Sequence, residues 1–255
     1  MPAVLLSIIL SVLACSFVGL RMLSLARRTR KLPELCMGLG LSAFAVAQVS
    51  RLALGGLGTR LDPEIAVGIY LLMQLGYSVA QFGLCLFTVV VFGPRSRWRW
   101  VVLAGVVALT AISRSMMLRV SAPQLLSGAP SQMIPIWDPA AVASFTMAFG
   151  WMAAESLHFH RVLRRRLALG LADPVVTNRF FIWGAGAAAT CLLVLLLLAL
   201  YLQGLTLMTN SLAASALVTV SGLVNAVVTC LTFTPPTAYL RFIQMRAERS
   251  GVGHA

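Results

Sequence analysis

The sequence predicts an all-α, polytopic membrane protein, a bundle of seven transmembrane helices with the N-terminus outside and the C-terminus in the cytoplasm. Three observations support this prediction. The 255 residues are 59% hydrophobic and only 11% charged, and their mean hydropathy is +0.90. Runs of about twenty apolar residues, each long enough to cross about 30 Å of hydrocarbon, recur along the chain. Basic residues are concentrated in alternate connections between these runs.

The predicted helices form one transmembrane domain over residues 1–240, and residues 241–255 form a short basic cytoplasmic tail. A chain this apolar cannot bury its hydrophobic side chains inside a soluble core of ordinary proportions, so the bilayer is its solvent. The predicted helices lie near residues 2–22, 35–57, 65–92, 98–118, 137–160, 180–203 and 209–234.

Orientation follows from the distribution of the nineteen arginines and one lysine. The connections after predicted helices 1, 3, 5 and 7 hold sixteen of them. The other side holds only Arg51, Arg60, Arg114 and Arg119. Because basic connections stay in the cytoplasm, the N-terminus is expected outside. The strong preference for arginine over lysine is typical of a GC-rich bacterial genome, so we expect the bacterial inner membrane.

The most basic connection follows predicted helix 5 and leads into predicted helix 6. Its arginines are Arg161, Arg164, Arg165, Arg166 and Arg179. Asp173 and Pro174 supply an N-cap and a first-turn proline for the next helix. We interpret the connection as a membrane-surface loop that contacts anionic lipid headgroups or a cytoplasmic signalling partner. The alternative is a loop that only sets the topology.

Polar side chains inside predicted helices are the candidates for a binding site, because hydrocarbon penalises them unless they face a partner or a wet cavity. Predicted helices 3 and 7 each carry a stripe of polar residues. Two facing stripes would either join the helices through hydrogen bonds or line a pocket. We predict an outward-opening cavity for an anionic small molecule or lipid headgroup, which arginine donors fit well. Alternatively, the arginines snorkel or pair with acids of the outer loops. The candidate ligand-binding residues are Gln48, Arg51, Gln74, Tyr77, Gln81, Arg114, Asn225 and Thr229.

Glu155 and His158 form an ExxH pair on one face of predicted helix 5, the spacing that di-metal sites in helical bundles use. A metal site is not predicted, because Glu155 is the only one of the seven acids well inside an apolar run. Two interpretations remain. Glu155 and His158 form a proton-sensitive pair, or Glu155 pairs with the arginines that follow predicted helix 5.

Sequence motifs exclude several classes of function. The sequence contains no Walker loop, GxSxG, HExxH or dinucleotide fingerprint, so an enzyme is not predicted. The formal charge of +13 does not indicate nucleic-acid binding. The basic residues lie in short connections without zinc-finger or basic-zipper spacing.

Two segments, RRRLALGLADPVVTNRFFIWG (Arg164–Gly184) and LPELCMGLGL (Leu32–Leu41), resemble bacterial seven-helix membrane proteins to which no activity is attached. The predicted helix number and orientation also resemble the plan shared by rhodopsins, G-protein-coupled receptors and SWEET-type sugar transporters. A retinal cofactor would require a lysine in helix 7, and the only lysine is Lys31 in a predicted cytoplasmic connection. Retinal is therefore excluded, and no cofactor is expected.

An arginine cluster followed two helices later by a CLFT-like segment occurs twice. Arg21 precedes Cys85 by 64 residues, and Arg161 precedes Cys230 by 69 residues. Both triplets of helices run in the same direction, which is compatible with a 3+1+3 duplication. Chance matching among leucine-rich segments is the alternative.

These observations favour a sensor or receptor-like module that binds a small or lipidic ligand and signals to a separate partner through its arginine-rich loops. The expected mechanism is a shift of helices 5 and 6 relative to helices 3 and 7, which requires the ligand to bind two states differently. A small-solute transporter with a 3+1+3 helix plan is the first alternative. A non-catalytic subunit of a membrane complex is the second.

Overall fold

The computed structural model describes residues 2–57, 60–93, 95–127, 137–203 and 212–249. Within these ranges the chain is entirely helical, with eight helices and no strand. The helices are α1 (Pro2–Thr29), α2 (Leu32–Leu57), α3 (Pro63–Phe92), α4 (Arg97–Leu126), α5 (Trp137–Ala168), α6 (Pro174–Leu202), α7 (Leu212–Phe233) and α8 (Thr237–Arg249).

Six of the helices in the described ranges, α1 to α4, α6 and α7, are long and apolar enough to cross a membrane. This composition and length make the chain a multi-pass membrane protein. The longest helix, α5, has 32 residues but is not among the six. Alanine and small polar residues fill much of α5, and Glu155 interrupts its apolar part. By length and composition, the described helices therefore provide six candidate membrane crossings, one fewer than the seven predicted above.

The seven long helices pack into a closed ring in chain order. Each contacts the next, α7 closes onto α1, and α5 also reaches α3. Large apolar side chains cover the outside of this ring, where Leu13, Leu75 and Val101 are 61%, 62% and 70% exposed. An apolar surface of this extent suits lipid better than water.

Trp183 of α6 lies in the core of the ring. Its ring packs edge-on against Phe87 of α3 and Phe233 of α7, with centroid distances of 6.5 and 5.2 Å. Edge-on aromatic pairs of this kind stabilise a core beyond the area they bury. The buried residues of the same cluster come from α1, α2, α5 and α6, and include Cys15, Val18, Met37, Leu41, Met152, Ala153 and Ala187.

Small residues bring α2 and α3 close together. A Cβ added at Gly83 would lie 2.8 Å from the carbonyl oxygen of Cys36 and 3.0 Å from Cα of Gly40. A Cβ at Gly76 would lie 2.9 Å from Cβ of Ala47. Small residues allow such close approach of backbones in membrane helices. Because this face of α3 packs on α2, the opposite face, which carries Gln74 and Gln81, is left for α4 and α5.

The start of α6 confirms the predicted N-cap. Oδ1 of Asp173 accepts hydrogen bonds from the backbone N–H groups of Val175 and Val176 at 2.6 and 3.1 Å. Pro174 occupies the first helical position, where its missing N–H is not needed. The helix thus begins six residues earlier than the predicted start at residue 180.

The preceding helix, α5, continues past its predicted end at residue 160. It stops at Gly170, which has a φ of 70°. The N–H of Leu171 donates to the carbonyl of Arg166 at 2.9 Å, and the N–H of Gly170 to that of Leu167 at 3.0 Å. This is the glycine-terminated C-cap of an α-helix. The arginines from 161 to 166 therefore lie on the last turns of a helix, and the prediction that they lie in a surface loop is wrong.

The predicted basic tail contains a further helix, α8, which follows Pro235 and Pro236. The amide of Asn178 on α6 donates to the hydroxyl of Tyr239, and this contact holds α8 against α6. Burial raises the pKa of the Tyr239 phenol above its ordinary value of 10.0, and Asn178 and Arg179 partly oppose the shift. Residues 250–255 of the predicted tail, and the predicted start of helix 7 at residue 209, lie outside the described residues.

Candidate functional site

A polar cluster around Arg114 lies where α2, α3, α4 and α5 meet. Nη1 of Arg114 donates to Oε1 of Gln74 on α3 over 2.6 Å. The guanidinium carbon lies 5.3 Å from the ring centroid of Tyr77 and 5.7 Å from that of Phe145 on α5. The Tyr77 hydroxyl donates to Oε1 of Gln48 on α2 at 3.0 Å. The Arg114 cluster consists of Gln48, Tyr70, Gln74, Tyr77 and Arg114.

Three buried polar atoms of the Arg114 cluster have no hydrogen-bond partner among the described residues. They are Nε of Arg114, Nε2 of Gln74 and the hydroxyl of Tyr70, which lies near the side chains of Ser121 and Gln74 without a hydrogen bond of normal geometry to either. Tyr70 and Gln74 are each 5% exposed. Buried polar groups are nearly always paired, and each unpaired one costs about 1–3 kcal/mol. All three atoms can donate, so the group that would satisfy them is rich in acceptors.

The charge of Arg114 is not neutralised at contact distance by any described residue. Within the described part of the chain, Arg114 donates to the neutral amide of Gln74, and Asp138 at the start of α5 attracts it electrostatically. Arg114 lies twelve residues before the end of α4, which is about 18 Å along a helix axis. A guanidinium this far inside an apolar helix is costly without a counter-ion. The cluster therefore favours an anionic group.

Two other predicted residues, Arg51 and Gln81, lie on the helices α2 and α3 that carry Gln48 and Gln74. Arg51 is half-buried and has an interaction of its own. Gln81 lies two turns further along α3, where its Oε1 accepts from the hydroxyl of Ser144 on α5 at 3.3 Å. Nε2 of Gln81 has no partner within the described part of the chain.

Asn225 and Thr229 lie elsewhere in the ring. Asn225 donates to the hydroxyl of Ser11 at 3.4 Å and to the sulfur of Cys15 at 3.9 Å, both on α1. Thr229 donates to Oδ1 of Asn225 at 3.4 Å. The stripe of α7 thus joins α7 to α1 and does not face the stripe of α3. The facing of the two stripes is therefore not observed, because the ring closes between α7 and α1. A ligand-binding role of Asn225 and Thr229 stays a prediction.

Glu155 is held by Arg99 from the first turn of α4. Nε and Nη2 of Arg99 donate to the two carboxylate oxygens, each at 2.8 Å, and Nη1 donates to the carbonyl of Phe92 at the end of α3. The expected ion pair exists, but its partner is not an arginine that follows α5. His158 is exposed and forms no hydrogen bond with Glu155 among the described contacts. The proposed Glu155–His158 pair is therefore not formed.

The arginine-rich end of α5 lies on the surface of the protein. Arg161, Arg164, Arg165 and Arg166 are all exposed. Nearby, Nδ1 of His160 donates to the carbonyl of Thr177 at 2.9 Å, which ties the end of α5 to the start of α6. Arg179 differs from the other four, since it is half-buried beside Tyr239 of α8.

Tyr70 and Phe145 are not among the predicted ligand-binding residues. Tyr70 precedes Gln74 by four residues and belongs to the polar stripe that helical spacing predicts on helix 3. Phe145 gave no signal, because an aromatic residue in a helix is ordinarily a packing residue and only the position of α5 brings it to Arg114.

Within the described residues, no three His, Cys, Asp or Glu side chains come together as a metal site would require. No family model matches the chain, and neither the curated proteins nor the solved structures contain a match.

Proposed function

We propose that the chain crosses the bacterial inner membrane seven times, with α5 as the fifth crossing and the C-terminus in the cytoplasm. The position of α5 in the ring, between α4 and α6, supports this crossing. Its small residues suit helix packing inside a membrane bundle. The distribution of sixteen basic residues against four supports the orientation. In this arrangement the arginine-rich end of α5 is cytoplasmic.

The proposed function is that of a sensor or receptor-like module whose ligand presents a carboxylate or phosphate to the Arg114 cluster. The observation that carries the proposal is the set of unpaired donors around a buried arginine. A planar guanidinium with a free Nε fits such oxygens well. A free anion and a lipid headgroup share this chemistry.

Helix α5 would transmit the ligand-binding signal to the cytoplasm. Phe145 of α5 stacks on the Arg114 guanidinium, and Arg161 lies sixteen residues further along the same helix, about 24 Å away. A ligand that withdraws Arg114 from Phe145 would change the position of α5 against α4. A signal arises only if the ligand binds the two positions with different affinity. A cytoplasmic partner would read the exposed arginines at the end of α5.

Binding is tested with the full chain in lipid nanodiscs. Radiolabelled inorganic phosphate and acetate serve as soluble probes, and nanodiscs with or without phosphatidylglycerol test a lipid headgroup. Arg114→Gln should weaken binding at least tenfold. Arg119→Gln is the matched control, since Arg119 lies on the same helix but is exposed. Equal binding by both variants would overturn the proposal.

Signalling is tested by a distance measurement between spin labels at exposed Leu169, just after α5, and exposed Arg97 at the start of α4, in a background with the native cysteines replaced. The bound anion should change this distance in the unaltered site and not in Arg114→Gln. A distance that is independent of the anion would remove the sensor role and leave a binding site. Replacing Arg164, Arg165 and Arg166 by glutamine should keep the anion-dependent distance change but abolish recruitment of a partner.

A small-solute transporter is the second candidate, because two parts of the ring pack alike. A Cβ added at Gly38 of α2 would lie 2.9 Å from the backbone nitrogen of Leu23 on α1. A Cβ at Gly184 of α6 would lie 3.1 Å from the same atom of Leu157 on α5. Each glycine thus receives a leucine of the preceding helix in the same way.

The next glycine of each helix faces the helix that follows. A Cβ at Gly40 would lie 3.6 Å from Cα of Gly83 on α3, and one at Gly186 would lie 2.5 Å from Val228 on α7. Gly83 and Val228 each stand two residues before the cysteine of a CLFT-like segment. This correspondence supports a 3+1+3 plan, which is common in transporters. Saturable phosphate or acetate uptake into proteoliposomes, lost in Gln74→Ala but kept in Asn225→Ala, would favour transport over sensing.

A further inference from the structure

A cavity of 290 Å³ opens between α3 and α4 beside the Arg114 cluster. It is lined by residues 78, 79, 81 and 82 of α3 and by residues 106, 107, 110 and 111 of α4. Its volume is near the lower limit of small-molecule pockets, about 300 Å³.

The cavity continues the Arg114 cluster along the same two helix faces. On α3, Gln74, Ser78 and Gln81 are spaced i, i+4, i+7, so they share one face. On α4, Val107 and Ala111 precede Arg114 by seven and three residues and share its face. The cavity therefore begins one turn from the Arg114–Gln74 hydrogen bond and extends about 10 Å away from it.

The lining of the cavity is suited to hydrocarbon. Most of its residues are valine, alanine or phenylalanine. Its two hydroxyl groups are already used within their own helices, since Ser78 donates to the carbonyl of Gln74 at 2.8 Å and Thr110 to that of Val106 at 2.7 Å. A ligand chain in this cavity would thus meet apolar atoms along most of its length, although Gln81 with its unpaired Nε2 also lines the cavity. The unpaired donors of the Arg114 cluster lie beyond one end.

We propose that the ligand is a single-chain anionic amphiphile. Its carboxylate or phosphate binds Arg114, Gln74 and Tyr70, and its hydrocarbon chain lies in the cavity between α3 and α4. The inference rests on the proposed anion site at the Arg114 cluster and adds a binding site for the hydrocarbon chain of the ligand. One chain is expected because the cavity volume is small. A negative headgroup is expected because the charge beside the cavity is the half-buried guanidinium of Arg114, whose buried Nε is unpaired.

The test uses the full chain in phosphatidylcholine nanodiscs and a long-chain fatty acid with a diazirine on its chain. Photolabelling should place the probe on the cavity-lining residues of α3 or α4, and dodecyl phosphate should compete with it. Ala111→Trp fills the cavity and should reduce labelling at least tenfold. Ala108→Trp is the matched control, because Ala108 is an exposed alanine of the same helix outside the cavity lining. Thermal unfolding of both variants establishes that they fold.

The outcomes separate the chain site from the anion site. Ala111→Trp should still bind inorganic phosphate like the unaltered protein, while Arg114→Gln should lose both phosphate and the labelled fatty acid. Equal labelling of Ala111→Trp and Ala108→Trp, or labels outside the cavity, would overturn the amphiphile but keep the anion site. Retention of phosphate and label in Arg114→Gln would overturn both. Probe added from the aqueous phase or mixed into the bilayer distinguishes a free fatty acid from one drawn from the membrane.

Discussion

Arg99 holds both carboxylate oxygens of Glu155 at 2.8 Å, in a side-on ion pair that joins α4 to α5. The Arg99 side chain is 17% exposed and that of Glu155 7%. The remaining amino group of Arg99 donates to the last turn of α3. One guanidinium therefore connects three helices at the end of the ring opposite to the Arg114 cluster.

Removing one partner of this pair should destabilise the protein strongly. Glu155→Leu leaves the guanidinium of Arg99 largely buried and unpaired, which costs about 3 kcal/mol for a pair of this burial. The double variant Arg99→Met with Glu155→Leu should recover most of the loss, because no charge is left buried. Unfolding in detergent measures both. A double variant as unstable as Glu155→Leu would show that the ion pair is not the cause.

Removing polar groups from the Arg114 cluster should stabilise the protein, in contrast to removing Glu155. Replacing Arg114 and Gln74 together by methionine removes a buried charge and two unpaired donors, so the double variant should gain about 1 kcal/mol or more without added anion. Anion binding should be lost at the same time. Unfolding midpoints with and without phosphate measure the two effects. A clear loss of stability without anion would indicate that Arg114 has a packing role.

The crossing of α2 and α3 should not tolerate a larger residue at Gly83. A side chain there would meet the backbone of Cys36 and Gly40 at 3.0 Å or less, so Gly83→Val should cost about 1–3 kcal/mol through overpacking. Gly68→Val is the control, because a Cβ at Gly68 meets nothing within 4 Å. Thermal unfolding of the two variants should differ by several degrees. Similar midpoints would mean that the helices separate without cost.

Asn225 should matter for packing and not for binding. Asn225→Val removes its hydrogen bonds to α1, and such bonds between membrane helices are worth about 0.6 kcal/mol on average. We expect a small fall in the unfolding midpoint and unchanged phosphate affinity. A loss of phosphate binding would instead connect the α1–α7 contact to the site.

The sequence predicts the long helices well, because apolar runs and caps such as Asp173 are local features. Partners across the ring are not local. The polar stripe of α7 was expected opposite that of α3, and it packs on α1 because the ring closes there. Glu155 was expected to pair with arginines nearby in sequence, but the partner lies 56 residues earlier. Charge counts alone place Arg99 among the topology-setting residues.

In the candidate site too, local features are predictable from the sequence and contacts between helices are not. Helical spacing predicts that Gln74 and Gln81 share a face with Tyr70, and a deep arginine in α4 marks a functional candidate. The tertiary arrangement was needed to bring Phe145 over Arg114 and to show that Asn225 bonds to α1. It was also needed to reveal which donors remain unpaired.

The uninterrupted course of α5 has a mechanical consequence. From Phe145 to the glycine that stops it, α5 is a single rod, so a tilt of roughly 5° near Phe145 would swing its arginine-bearing tip by about 2 Å, given the rise of a helix. The ion pair between Arg99 and Glu155 lies between Phe145 and this tip, so it would have to move with α5 in such a tilt.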